Sequence, residues 1–139
     1  MNRAARIEVY TDGRCPLCIW SRSLVEPRDR DGRIQWLDFN DPEAQRRAAP
    51  HTPAELSQEM HVRRADGVWT KGFHGWLDVL GVLPRWRRLA RVLSVWPFIR
   101  LGPVFYRAVA RRRYQLFGIP PPCDAESVCS LHESKSARR

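Results

Sequence analysis

Between Asp78 and Asp124 the chain has no acidic residue, although nine arginines fall from Arg85 to Arg113. Those cations cannot be neutralised by carboxylates near them in sequence, and so a basic surface is expected. Residues 1–60 are almost balanced, with nine Lys/Arg against ten Asp/Glu, whereas residues 61–139 carry fifteen against five. A long uncharged apolar run is also lacking. The most apolar stretch, Val92–Val109, holds Arg100, Arg107, Pro97 and Pro103. A membrane-spanning helix needs about 20 largely apolar residues, so none is expected. The six residues Met1–Arg6 are too few for the apolar core of a secretory signal. Without export, the expected compartment is a reducing cytoplasm, and attachment at a membrane surface is compatible with it. No internal repeat and no groove-reading nucleic-acid motif is present, and nucleic acid is not the expected partner.

Cysteine is scarce, with four in 139 residues, but two of them have an informative placement. The run Asp12-Gly13-Arg14-Cys15-Pro16-Leu17-Cys18 follows directly on Ile7-Glu8-Val9-Tyr10, which reads as a first strand. Cys15 falls at the N-cap of the helix that follows, with Pro16 at its first position, where a missing N–H costs nothing. Helix N-terminal amides stabilise a negative charge, so Cys15 is expected to ionise more readily than a free thiol. In a reducing compartment a Cys-x-x-Cys is more often catalytic or metal-binding than structural. In thiol–disulfide exchange the N-terminal sulfur, Cys15, would attack and Cys18 would resolve, with Cys18 expected to be the less exposed of the two. Arg14 adds a positive charge beside Cys15. Asp12 has two available roles: a proton acceptor for Cys18, or a turn ligand that holds backbone amides.

The remaining chain predicts an α/β domain. The first helix runs from Leu17 to Val25 and stops near Pro27, and Ile34–Phe39 alternates as a second strand with Ile34 and Trp36 on one face. Strand, helix and strand form a β-α-β unit with a right-handed crossover. Asp41 caps a short helix from Glu43 to Ala48, and Pro50 and Pro53 bracket a loop. Met60–Arg64 and Val68–Lys71 read as a hairpin around Asp66-Gly67. Three helices then follow: one striped by Phe73, Trp76, Leu77 and Leu80, one over Arg85–Val95, and one from about Pro103 to Phe117. Residues 1–118 are read as one domain, with a basic helical part at 73–118, and 119–139 as a flexible tail.

Around the dithiol the sequence resembles the DCC family of thiol-disulfide oxidoreductase-like proteins. The resemblance rests on Asp12-Gly13 with Cys15 and Cys18, on Asp66-Gly67 followed by Gly72, on Pro84, and on the stretch Tyr106–Tyr114. It implies a thioredoxin-like fold and exchange with a protein or small-molecule thiol or disulfide client, through Cys15, Cys18 and Asp12, without a cofactor. The chain has no proline immediately before Met60, where thioredoxin-like proteins usually have one facing the dithiol.

Other readings stay open on the residues alone. A metal would need Cys123 and Cys129, or one of His51, His61 and His74, to join the first pair, yet no two of these histidines stand at ligand spacing. Cys123 and Cys129 could instead form a second dithiol, and His74, between Phe73 and Gly75, could line the site. The arginine-rich helices, with Trp86, Trp96, Phe98 and Phe105 among them, could lie on an anionic membrane surface. The alternative to an enzyme is a basic binding module, peripheral at the membrane, whose cysteines are structural or metal-bound.

Overall fold

A computed structural model describes residues 6–117. The expectations for Cys123, Cys129 and the tail fall outside the described residues. Strand β1 (Ile7–Thr11) leads through a four-residue turn into helix α1 (Pro16–Val25), which a 3-10 turn at Glu26–Arg28, containing Pro27, brings to an end. Then follow β2 (Ile34–Asp38), α2 (Pro42–Ala48), α3 (Pro53–Gln58), the hairpin strands β3 (His61–Arg63) and β4 (Trp69–Lys71), and helices α4 (Gly72–Val82), α5 (Arg87–Leu93) and α6 (Phe98–Phe117).

The sheet order is β2-β1-β3-β4. β1 and β2 run parallel, Val9 facing Trp36, while β3 is antiparallel to both β1 and β4. Side chains alternate across a strand, and the burial follows suit. Ile7, Val9, Ile34 and Val62 form one core with Val25 of α1 and Val79 and Leu83 behind them. Tyr10 and Phe39 form a second core, against Ala44, Ala48 and Leu56 of α2 and α3. The sheet is therefore covered on both faces, and the parallel pair β1–β2 sends both of its C-terminal ends to one edge. That edge carries the dithiol.

The β-α-β unit, the Asp41 cap and the hairpin form as the sequence predicts. The Asp41 side chain accepts from Glu43 N, Val68 N donates to Asp66 Oδ1, and Gly67 takes the φ of +86° that the turn demands. Two elements differ. Residues 53–58 are a helix rather than part of a loop, because Thr52 and Glu55 form a reciprocal capping box with Pro53 in the first turn. Helix α6 begins at Phe98, so Pro103 lies inside it instead of starting it. Gly102 makes this tolerable: with no Cβ, it escapes the clash a proline imposes on the residue before it. It also lets the Phe73 ring approach to 2.4 Å from where a Cβ would stand.

Candidate active site

The site begins with the turn between β1 and α1. Cys15 is the N-cap of α1 (φ −71°, ψ 121°), Pro16 occupies the first turn, and Ile19 N donates to Cys15 O at 3.0 Å. Asp12 is buried, and its Oδ1 accepts from Arg14 N at 3.0 Å and from Asn40 Nδ2 at 2.9 Å. Asn40 also donates to Asp38 Oδ1, the same oxygen that receives Gly13 N, and its own Oδ1 accepts from Arg14 Nη2. The turn that presents Cys15 is thus stitched to the end of β2. Asp12 is placed as a turn ligand. Asp12→Asn retains an acceptor for Arg14 N and is expected to cost less than removal of the side chain. Asp12→Ala leaves those donors without their partner and is expected to cost about 1–2 kcal/mol in urea unfolding. An equal cost for both variants would show that the negative charge itself holds the turn.

Cys15 and Cys18 are not bridged, and they sit one helical turn apart. Their ionisation is divided sharply. The Cys15 thiol is lowered to about 6, first by the hydrogen bond it receives from Cys18, then by the backbone amides of Cys18 and Leu17 and the charge of Arg113, all against the opposing effect of burial. The Cys18 thiol is pushed up because it is the donor to Cys15, because it is partly withdrawn from water, and because it faces the Cys15 charge; the Asp12 backbone N–H and Arg113 act the other way. The hydrogen bond thus favours the anion on Cys15 and the proton on Cys18.

Exposure runs against the sequence-based expectation. Cys15 is fully buried and Cys18 is the partly exposed member. Helix α6 lies beside Cys18. Cys18, not Cys15, lines a cleft of about 250 Å³ walled by Trp36, Met60, Phe73, Trp76 and Phe105, with Arg113 and Tyr106 as polar lining. The Tyr106 hydroxyl accepts from Met60 N at 3.2 Å, while Met60 O accepts from Gly72 N at 2.8 Å. Burial, above all, pushes the Tyr106 phenol up to about 12, so it remains neutral. The segment before β3, which has Glu59 rather than proline ahead of Met60, is therefore fastened to α6 through Tyr106.

Arg113 is a site residue that the sequence did not reveal. It is buried, donates from Nη2 to Ser57 O at 2.6 Å, and supplies positive charge to both sulfurs. The sequence pointed instead to Arg14, whose guanidinium is engaged by Asn40. The only available signal was an arginine within the apolar-periodic face of the last helix. His74 does not line the dithiol cleft; it borders a separate surface depression with Arg64, Thr70 and Asp78. The His51 and His61 rings meet at a tilt of 53°, with His51 edge-on to Trp69. Among the described residues no group of three or more His, Cys, Asp or Glu side chains is placed to hold a metal ion.

A mixed α/β sheet that places a paired thiolate and thiol at the mouth of its first helix defines a dithiol redox class of protein. The family model of DCC1-like thiol-disulfide oxidoreductases matches residues 9–119, and the chain belongs to that family. No curated protein and no solved structure matches it.

Proposed function

We propose that the protein exchanges disulfides with a thiol or disulfide client through Cys15 and Cys18. The observation that carries this reading is the placement of two unbridged cysteines one turn apart at the N-terminus of α1; there the hydrogen bond from Cys18 and the helix amides favour the Cys15 thiolate. In the reducing direction the Cys15 thiolate attacks one sulfur of the client disulfide, and the other client sulfur leaves as a thiolate and takes up a proton. Cys18 then loses its proton and attacks Cys15 Sγ, which releases the second client sulfur. The protein ends as the Cys15–Cys18 disulfide, two electrons having passed to the client. A dithiol reductant restores the thiols by the reverse chemistry.

The client reaches the pair through the cleft on the Cys18 side, since Cys15 has no exposed surface. The aromatic walls suit an apolar group next to the reacting sulfur. Asp12 acts in this scheme as a positioning residue. If it instead accepts the Cys18 proton, Asp12→Asn will slow the resolving step and shift its pH profile. The function itself is tested by turnover: with dithiothreitol as electron donor, the protein should accelerate reduction of a disulfide-linked peptide pair, and Cys15→Ser should not. Equal rates for the two proteins would contradict the proposal.

A further inference from the structure

The back of the molecule has a surface that the redox site does not use. Eight of the thirteen large hydrophobic side chains left exposed among the described residues lie between Leu89 and Phe105. They include Trp96 at 70% exposure, Leu101 at 61%, Val104 at 65% and Phe105 at 72%. Helical geometry explains the grouping on α6. Gly102, Tyr106, Val109 and Arg113 face inward, three or four residues apart, which turns Leu101, Val104 and Ala108 outward. Arg100, Arg107 and Arg111 flank that apolar strip, and all three are exposed.

The same segment contributes eight exposed arginines between Arg85 and Arg112, and none forms an ion pair with a described carboxylate. The described ion pairs all join residues of the first 78. An apolar centre with a cationic margin and no carboxylate is complementary to a surface that is apolar within and anionic at its rim. A second copy of this chain would bring like charge against like charge. A nucleic acid would satisfy the arginines but leave Trp96, Leu101 and Val104 uncovered. No helix among the described residues is long and apolar enough to cross a membrane, so the fitting geometry is an interfacial one.

We infer that the α5–α6 face docks on an anionic lipid surface, with Trp96, Leu101, Val104 and Phe105 entering the headgroup–acyl boundary and the arginines pairing with lipid phosphates. Phe105 belongs to the cleft wall as well as to this face. Docking therefore sets the mouth of the Cys18 cleft beside the lipid. Docking does not depend on the thiols, and Cys15→Ser is expected to bind lipid as the unmodified chain does, so loss of redox activity and loss of docking are separable.

The test is flotation of the full chain with vesicles of phosphatidylcholine, with and without phosphatidylglycerol. The expected result is capture by the anionic vesicles, reduced by at least about tenfold on phosphatidylcholine alone and released by high salt, which screens the arginines. Arg100→Glu with Arg107→Glu should lower capture by about tenfold or more. Arg30→Glu with Arg46→Glu changes the net charge equally at exposed sites elsewhere and should leave capture within about twofold. Leu101→Ser with Val104→Ser, at largely exposed positions, should also weaken it. No capture by anionic vesicles, or equal loss from the two charge-reversed pairs, would overturn the inference. Salt-sensitive binding to a DNA duplex without binding to anionic vesicles would overturn it too.

Discussion

Replacing Cys15 by serine is expected to abolish disulfide exchange, with a loss of about a thousandfold or more, since the attacking thiolate is gone. Replacing Cys18 is expected to have a different outcome. Attack by Cys15 still occurs, but the mixed disulfide has no internal thiol to resolve it, and a covalent adduct accumulates at Cys15. Non-reducing electrophoresis followed by mass mapping of the adduct distinguishes the two. The opposite directions of the two shifts favour this asymmetry, down for Cys15 and up for Cys18. Because Cys15 has no exposed surface and Cys18 lines the cleft, the experiment also decides which sulfur the client reaches first. Trapping to the same extent in both variants, or an adduct confined to Cys18 in the Cys15→Ser protein, would reverse the assignment of roles and make the exposed sulfur the point of attack.

The second large effect is on pH dependence. The folded protein holds the Cys15 thiol at about 6, below the ordinary value of about 8.5. A depressed thiol is ionised above its folded pKa and is lost as an anion when the pH falls through it. Thiolate absorbance in the reduced protein should therefore titrate near pH 6, and at pH 7 about nine-tenths of Cys15 should be thiolate. The foremost cause is the hydrogen bond from Cys18. Cys18→Ala removes that donor while leaving the helix amides in place. Its midpoint should move up toward the free-cysteine value, and the thiolate present at pH 7 should fall several-fold. A midpoint unchanged in Cys18→Ala would mean that the helix terminus and Arg113 suffice.

What was legible in the sequence was what local physics decides. The strand before Asp12, Pro16 in the first turn, the Asp41 cap and the Asp66-Gly67 turn each act within a few residues, and each took the form that spacing predicts. Helix α3 was readable in principle, since Thr52-Pro53-Ala54-Glu55 is a capping box, but two nearby prolines favoured a loop. The start of α6 was not readable by the same logic. Pro103 is a helix-starting residue on local grounds, and only the missing Cβ of Gly102 and the close Phe73 ring show why it sits inside.

The rest of the site depends on contacts distant along the chain. Asn40 reaches Asp12 across 28 positions, Tyr106 meets Met60 across 46, and Arg113 meets Ser57 across 56. No spacing rule connects these pairs. The exposure of the two sulfurs was not legible either: Cys15 is buried, and Cys18 lines a cleft shared with α6. The dithiol was thus identifiable from seven residues, whereas its access route required the last helix.

The most direct test of the account is an equilibrium titration of the Cys15–Cys18 pair in glutathione redox buffers, read by alkylation and mass at several pH values. A working exchange site predicts one reversible two-electron transition within the span of characterised dithiol proteins, roughly −120 to −270 mV. Above pH 6 reduction should take up one proton and the potential should fall by about 30 mV per pH unit; below it two protons enter and the slope should double to about 59 mV. A pair that never closes to a disulfide, or that closes only after a chelator strips a metal from it, would contradict the account and favour a structural or metal-bound pair in a basic binding module.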